Sequence, residues 1–201
     1  MAKVFVSAAR GGFERGFRDP GVIAGGTTEA VENMATRDLL VTELRSRGIA
    51  VDAPGDDLST LQTVAWINGR AGRQDVAIEI ALDGSSNGQL RGATAFHIAN
   101  NSDRRRHAEL ILSSLIRRVP ELPSRGARPD TAGALGRIAF CRDTVPPALV
   151  VELGFLTNTQ DRRLVQTRRR DFAVGLADGL QAWLREGGTP APTPPATPEA
   201  Y

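Results

Sequence analysis

The sequence DVAIEIAL, at residues 75–82, is the stretch that determines the predicted fold most strongly. It is short, apolar and rich in β-branched residues, which is typical of a strand buried in the middle of a sheet. Other segments of this kind lie on both sides of it, at residues 3–7, 49–51, 93–99, 137–141 and 148–155. Together these segments predict a sheet in which residues 75–82 form a central strand.

Segments with helical features alternate with these strands. Thr27 and Thr28 precede Glu29 and are predicted to cap a long helix that Gly48 terminates. The other predicted helices lie at residues 58–71, 103–119, shortly after Asn158 and at 171–185. Residues 121–136 are rich in proline, glycine and arginine, so we expect a loop there.

This alternation favours a single-domain α/β sandwich with a mostly parallel central sheet that is covered by helices on both faces. The domain is expected to cover residues 1–186. Residues 187–201 read GGTPAPTPPATPEAY, a composition that buries no apolar surface. We therefore expect a disordered or polyproline-like tail at residues 187–201.

The composition limits the classes of partner. Hydrophobic residues make up 41% and charged residues 24% of the chain, which is ordinary for a soluble globular protein. The net charge of +2 is too small to indicate a nucleic-acid partner. No apolar run approaches the roughly 20 residues that a membrane-spanning helix needs, so no membrane partner is expected.

The cysteine count and the start of the chain bear on location. Cys141 is the sole cysteine, which excludes an internal disulfide and indicates a reducing compartment. The opening residues, MAKVFVSAARGG, lack the apolar core of a secretory signal. The expected location is therefore the cytoplasm.

Four segments together resemble one enzyme family. They are VSAARGGFERGFRDPGVIAGGTTEA (residues 6–30), WINGRAGRQDVAIEIALDG (66–84), RGATAFHIANN (91–101) and PALVVELGFLTNTQDRRLV (147–165). In order and spacing they resemble the zinc-dependent N-acetylmuramoyl-L-alanine amidases, the type 3 peptidoglycan amidases. The resemblance covers about residues 3–185 and implies the same α/β fold.

The resemblance also implies roles for four positions. In the family a histidine after the first strand, a glutamate that opens the first helix and a histidine at the end of the central strand hold zinc. A further glutamate acts as general base. In this chain these positions hold Arg10, Glu29, Ala81 and Glu152, in that order. Glu29 and Glu152 thus match the pattern, and both histidines are replaced.

The two replacements predict the loss of zinc. A protonated guanidinium offers no lone pair and alanine has no donor atom, so neither Arg10 nor Ala81 can bind a metal. We expect a protein that has no zinc cofactor and no amide hydrolysis. Such a protein would be retained for binding or regulation, with a muropeptide, another peptide-like ligand or a protein as its partner.

Arg10 has two open interpretations. It could stand where the metal stands in the family, between the carboxylates of Glu29 and Glu152, or it could point to solvent from the first loop. Glu29 could also be kept only because an acidic residue in the first turn favours the helix dipole. Glu152 has no such explanation, because a carboxylate in an apolar strand requires a partner.

Two further functions stay open at this point. One is an active amidase with unusual metal ligation, with His97 and His107 as the available imidazoles. The other is an anion or nucleotide binder that uses Arg10, Arg15 and Arg18 of the first loop.

Other residues of the sequence are weaker candidates. A nucleophilic pair of Cys141 with His97 is conceivable, although a lone cysteine in an apolar segment is usually part of the core. Arg91 and Asn100 are candidate binding residues, together with Arg10, because they could line a peptide groove.

Overall fold

The computed structural model describes residues 2–133 and 136–186. The predicted tail at residues 187–201 therefore lies outside the described residues. The described strands are β1 (Lys3–Ala8), β2 (Phe13–Glu14), β3 (Phe17–Arg18), β4 (Ile23–Ala24), β5 (Thr27–Thr28), β6 (Ala50–Asp52), β7 (Val76–Asp83), β8 (Ala93–His97), β9 (Ser124–Pro129) and β10 (Ala148–Phe155). The described helices are α1 (Glu29–Ser46), α2 (Thr60–Asn68), α3 (Ser102–Arg118), α4 (Ala139–Asp143), α5 (Thr159–Thr167) and α6 (Arg169–Glu186).

Six strands form one sheet in the order β6-β1-β7-β10-β8-β9. Strands β6, β1, β7 and β10 run parallel, β8 is antiparallel to β10, and β9 is parallel to β8. The predicted central strand is β7, which lies between β1 and β10 and is buried over nearly its whole length. The mostly parallel sheet that the sequence predicts is therefore confirmed.

Helices cover both faces of the sheet. On one face α1, α3 and α6 pack against alternate residues of the strands and form the larger hydrophobic core. On the other face a smaller core contains Phe5, Ala81 and Val150 of the sheet, and it is closed by Ile67 of α2 and Phe140 of α4. The two short helices leave part of this second face uncovered, and that opening holds the candidate site.

Two predicted segments were wrong. Residues 137–141 were expected to form a strand, but they lead into the helical turn α4, whose Phe140 and Cys141 are buried against the sheet. A short apolar run of this kind does not distinguish a strand from one buried turn of helix. Residues 121–136 were expected to form a loop, but they contain β9, which tolerates proline and glycine because it lies at the edge of the sheet.

The first helix begins and ends as its capping residues predict. The Thr28 side chain accepts a hydrogen bond from the Val31 backbone N–H, and Gly48 follows the helix with a φ of 72°. This cap places Glu29 at the first helical position, close to the end of β7. Within the described residues no helix is long and apolar enough to span a membrane.

Candidate functional site

A cavity of about 650 Å³ opens on the less covered face of the sheet. It lies at the carboxyl ends of β1, β7 and β10, the edge at which parallel sheets of α/β proteins commonly hold their ligands. All four positions that the family resemblance singles out line this cavity: Arg10, Glu29, Ala81 and Glu152. The fold therefore brings these residues together, and their roles stay predictions.

Glu29 is held tightly at the cavity wall. Its side chain is 3% exposed, and its Oε2 accepts a hydrogen bond from the Val22 backbone N–H at 3.1 Å. Its Oε1 lies 3.4 Å from the Leu82 backbone nitrogen and 3.5 Å from Nδ2 of Asn33. Burial raises the pKa of Glu29, while the Val22 N–H and the charge of Arg10 oppose that shift.

Arg10 forms ion pairs with Glu29 and with Asp19. Its Nε lies 3.6 Å from Oε2 of Glu29, and its Nη1 donates to Oδ2 of Asp19 at 3.0 Å. Burial lowers the pKa of Arg10, but the charges of Glu29, Asp19 and Glu79 raise it, and the net shift is upward. Arg10 thus stays charged and pairs with Glu29. The expectation that it lies between Glu29 and Glu152 was wrong, because its partners are Glu29 and Asp19.

The backbone conformation at Arg10 and the lack of a side chain at Gly21 allow the first loop to pack closely on the Arg10–Glu29 ion pair. Arg10 has a φ of 70°, which is uncommon for a residue with a side chain. Gly21 packs over the pair, and a Cβ atom there would lie 2.4 Å from Oε2 of Glu29 and 2.7 Å from Cγ of Arg10. The glycine-rich first loop therefore closes over the Arg10–Glu29 ion pair.

Ala81 and Glu152 are direct neighbours in the sheet, since β7 and β10 pair them in register. Ala81 is 8% exposed and presents only a methyl group to the cavity. Glu152 forms no hydrogen bond or ion pair with its side chain in the described part of the protein. Burial, with the negative charges of Asp83 and Glu29, raises the pKa of Glu152 to about 8. The expected ion-pair partner of Glu152 is absent from the described residues, where the charges of Arg125 and Arg128 only partly oppose the upward pKa shift.

Sequence reasoning missed a third glutamate at this site. Glu79 lies on β7, 8% exposed, opposite Ser7 of β1. Burial raises its pKa to about 7; the negative charge of Glu29 adds to that shift, and the positive charge of Arg10 opposes it. The signal that could have found it is the charged residue in the middle of the apolar DVAIEIAL strand, because such a residue rarely lies in a buried strand without a function or a partner.

The opposite wall of the cavity carries arginines that were also missed. They are Arg125, Arg128 and Arg137. Arg125 lies over the ring of Phe155, with 4.9 Å from its Cζ to the ring centroid, and Arg128 donates from Nε to the Arg125 backbone carbonyl. Across residues 2–133 and 136–186, none of the three forms an ion pair with a carboxylate. Residues 121–136 had been taken for a loop and residues 137–141 for a strand, which hid this wall from the sequence analysis.

Arg91 and Asn100, predicted to bind a ligand, do not line the cavity. Arg91 is engaged within the protein, where its Nε donates to Oδ1 of the fully buried Asp161 at 3.1 Å and its Nη2 donates to the Glu121 carbonyl. Asn100 has a φ of 59° and lies in the turn between β8 and α3. The same Asp161 accepts from the Gly92 and Phe155 backbone N–H groups, so it fixes the end of β10 beside Glu152.

The histidines and the cysteine are occupied elsewhere. His97 Nδ1 lies 2.9 Å from the Ile98 carbonyl oxygen, and His107 stacks on Trp183 with 4.8 Å between ring centroids. The Cys141 thiol lies 3.6 Å from the Phe96 carbonyl, and burial raises its pKa to about 12, so it is not a nucleophile paired with His97.

The metal-ligating side chains of the described residues are dispersed. Within residues 2–133 and 136–186, no three histidine, cysteine, aspartate or glutamate side chains are grouped so that they could share a metal ion. A metal site relocated to His97 and His107 is therefore not formed among these residues. Arg18 of the first loop donates to the Gly11 carbonyl at 2.8 Å, so two of the three candidate anion-binding arginines, Arg10 and Arg18, are engaged within the loop.

One protein family matches most of the chain. A family profile described as N-acetylmuramoyl-L-alanine amidase matches residues 4–182. No curated protein sequence is similar enough to count as a match.

Several solved structures share the fold. The amidase AmiC2 of Nostoc punctiforme has a TM-score of 0.78 at 17% identity, covering 92% of this chain and 97% of its own. An amidase from Clostridium difficile 630 has a TM-score of 0.79 at 20% identity, and the match covers 92% of this chain and 97% of that amidase. The CwlD amidase from Clostridioides difficile, in complex with the GerS lipoprotein, has a TM-score of 0.78 at 21% identity, covering 92% and 100%.

Proposed function

This chain belongs to the N-acetylmuramoyl-L-alanine amidase family, and from that premise we propose a function without catalysis. The protein no longer holds zinc and no longer hydrolyses the muramoyl-L-alanine amide bond. Its cavity is retained for binding a muropeptide or another peptide-like ligand, in a binding or regulatory role.

The observation that carries this proposal is the ion pair of Arg10 with Glu29. The guanidinium Nε lies 3.6 Å from the carboxylate that the family resemblance assigns as a zinc ligand. A positive side chain this close repels a divalent cation and neutralises the charge that would attract one. The remaining contacts of Glu29 are backbone N–H groups and an amide, and they also compete for its lone pairs.

The other zinc-ligand positions support the same conclusion. Catalytic zinc takes three protein ligands drawn from histidine, cysteine, aspartate and glutamate, with one position left open for water or substrate. Arg10 and Ala81 supply no such atom, so the residues present do not fit the ion that the family uses. The proposed loss of zinc follows from this donor chemistry.

Glu152 keeps the carboxyl group that the resemblance assigns as general base, but without zinc it has no metal-activated water to act on. A general base must be ionised near the working pH, and efficient proton transfer requires a pKa near that pH. Burial and neighbouring carboxylates raise the pKa of Glu152 to about 8, close to the range of a general base or acid, so the proposed loss of turnover rests on the missing zinc ligands rather than on Glu152. The charges of Arg125 and Arg128 oppose that shift but do not reverse it.

A binding role is supported by what remains of the site. The cavity volume of about 650 Å³ is typical of small-ligand sites, and its walls combine aromatic rings with charged groups. The CwlD amidase, which shares the fold, is found with the GerS lipoprotein, and this supports a protein partner as part of the same proposal.

The proposal is tested by an amidase assay on the purified chain. Soluble muropeptide is incubated with the protein, with and without added zinc chloride, and the release of free peptide is followed by chromatography. No release above the no-protein control is expected in either condition. Release that requires zinc, stops with a chelator and disappears in Glu152→Gln would overturn the proposal.

A further inference from the structure

The charges that line the cavity are divided between two walls. On one wall Glu79 and Glu152 project from β7 and β10, and neither forms an ion pair in the described part of the chain. On the other wall lie Arg125, Arg128 and Arg137, which also form no ion pair there, although the charges of Arg125 and Arg128 act on Glu152. Neither the fold nor the proposed loss of zinc explains why both sets face the same space.

The sheet keeps the two sets apart. Phe96 of β8 pairs with Arg128 of β9 on one side and with Val150 of β10 on the other, so these residues point to the same face. Adjacent strands are about 4.8 Å apart, which places β9 roughly 10 Å from β10 and roughly 14 Å from β7. Thr94 and Phe96 occupy the strand between the two walls and carry no charge.

Charge compensation within the protein is incomplete at the acidic wall. Arg10 is a cation whose charge acts on Glu79, and its contacts within 4 Å are with Asp19 and Glu29. Glu79 is 8% exposed and projects into the cavity, where its negative charge is costly to bury without a counter-ion. A cation supplied by a ligand would restore the balance, and an anion would do the same at the arginine wall.

We propose that the cavity binds a short peptide by both of its charged ends, with the free amino group between Glu79 and Glu152 and the carboxylate at Arg125 and Arg128. This inference rests on the proposed binding function and names the class of ligand. An extended chain advances about 3.3–3.6 Å per residue, so the roughly 10–14 Å between the strands that carry the two walls corresponds to about three to four residues. The partly exposed Leu90 and Ile138 of the cavity lining offer apolar surface to the side chains.

The inference is tested by calorimetric titration of the full chain with three peptides at pH 7. They are Ala-Ala-Ala, its N-acetylated form and its C-terminal amide, which differ only in the charge at one end. The unmodified peptide is expected to bind, and each blocking group is expected to weaken binding by about tenfold or more, as for the loss of one charge-assisted contact.

Two variants test which residues contact each end of the peptide. In Glu79→Gln, N-acetylation of the peptide should cause a smaller loss of affinity than in the unmodified chain, while C-terminal amidation should cause the same loss of affinity. Arg128→Gln should show the opposite pattern. Circular dichroism confirms that each variant is folded, and the comparison of the three peptides on the unmodified chain requires no variant.

Equal affinity for the three peptides, or no binding at millimolar concentration, would overturn the inference. It would leave the proposed function standing, because that proposal depends on zinc and on hydrolysis rather than on peptide ends. Conversely, zinc-dependent hydrolysis of muropeptide would remove the proposed function, whatever the titrations show.

Discussion

At the scale of single residues, Arg10 has the most consequences for the site. Its backbone adopts a left-handed conformation, and its guanidinium pairs with both Asp19 and Glu29. The same side chain lowers the pKa of Glu79 by its charge. One arginine therefore offsets part of the negative charge that converges on this end of the sheet.

Arg10→Ala is expected to destabilise the protein. The substitution leaves Glu29 buried without its ion-pair partner, and because Arg10 is 39% exposed at its side chain the loss is discounted to about 1–2 kcal/mol. Urea denaturation at pH 7 measures the free energy of unfolding. Arg105→Ala serves as the control, since it removes an exposed pair with Glu109 and should change stability by no more than about 0.5 kcal/mol. Equal stability of Arg10→Ala and the unmodified chain would show that Arg10 is a solvated loop residue.

At the scale of elements, the register of neighbouring strands decides which residues share the cavity. Strands β7 and β10 pair Ala81 with Glu152, and Glu79 lies two residues earlier on the same face of β7. The short helices α2 and α4 leave this end of the face open, so two carboxyl groups lie in a partly closed space. Their raised pKa values follow from that placement.

This placement predicts a falling stability with rising pH. The pKa of Glu79 is about 7 in the folded protein and near 4.5 when the chain is unfolded, so between these values the folded state binds more protons. Stability contributed by the protonated group is therefore present below about pH 4.5 and lost by about pH 7. Glu79→Gln removes this titration, so the fall in stability with pH should become shallower, with the raised pKa of Glu152 accounting for a remaining fall.

Denaturation between pH 5 and pH 8 measures the effect. Relative to the unmodified chain, Glu79→Gln should gain about 2 kcal/mol over this interval. The exposed Glu109→Gln is the control and should run parallel to the unmodified chain. If the stability of Glu79→Gln also ran parallel to that of the unmodified chain across this pH range, Glu79 would titrate normally in the folded state.

At the scale of the whole molecule, the sequence predicts the scaffold better than the site. Buried strands such as β7 and capped helices such as α1 are recognisable because their patterns are local. The strand β9 was missed, since an edge strand tolerates the proline and glycine that otherwise mark loops. Because β9 was missed, Arg125 and Arg128, two of the three arginines of the cavity wall, were missed as well.

The family resemblance located the four positions at the cavity, but it could not show how they are paired. That Arg10 joins Glu29 and Asp19 rather than Glu152 depends on the path of the first loop, including the close approach of Gly21. Glu79 was missed because it lies at none of the four positions that the resemblance singles out. Contacts between residues far apart in sequence are set by packing, which the local pattern does not encode.

The most direct test of the account is the zinc content of the purified chain compared with the double variant R10H/A81H. Both proteins are saturated with zinc, freed of excess metal and measured by atomic absorption, with R10H/A81H/E29Q as the control that removes the third ligand. The account predicts no retained zinc in the unmodified chain, about one zinc per chain in R10H/A81H, and weaker retention in the control. Stoichiometric zinc in the unmodified chain would contradict it.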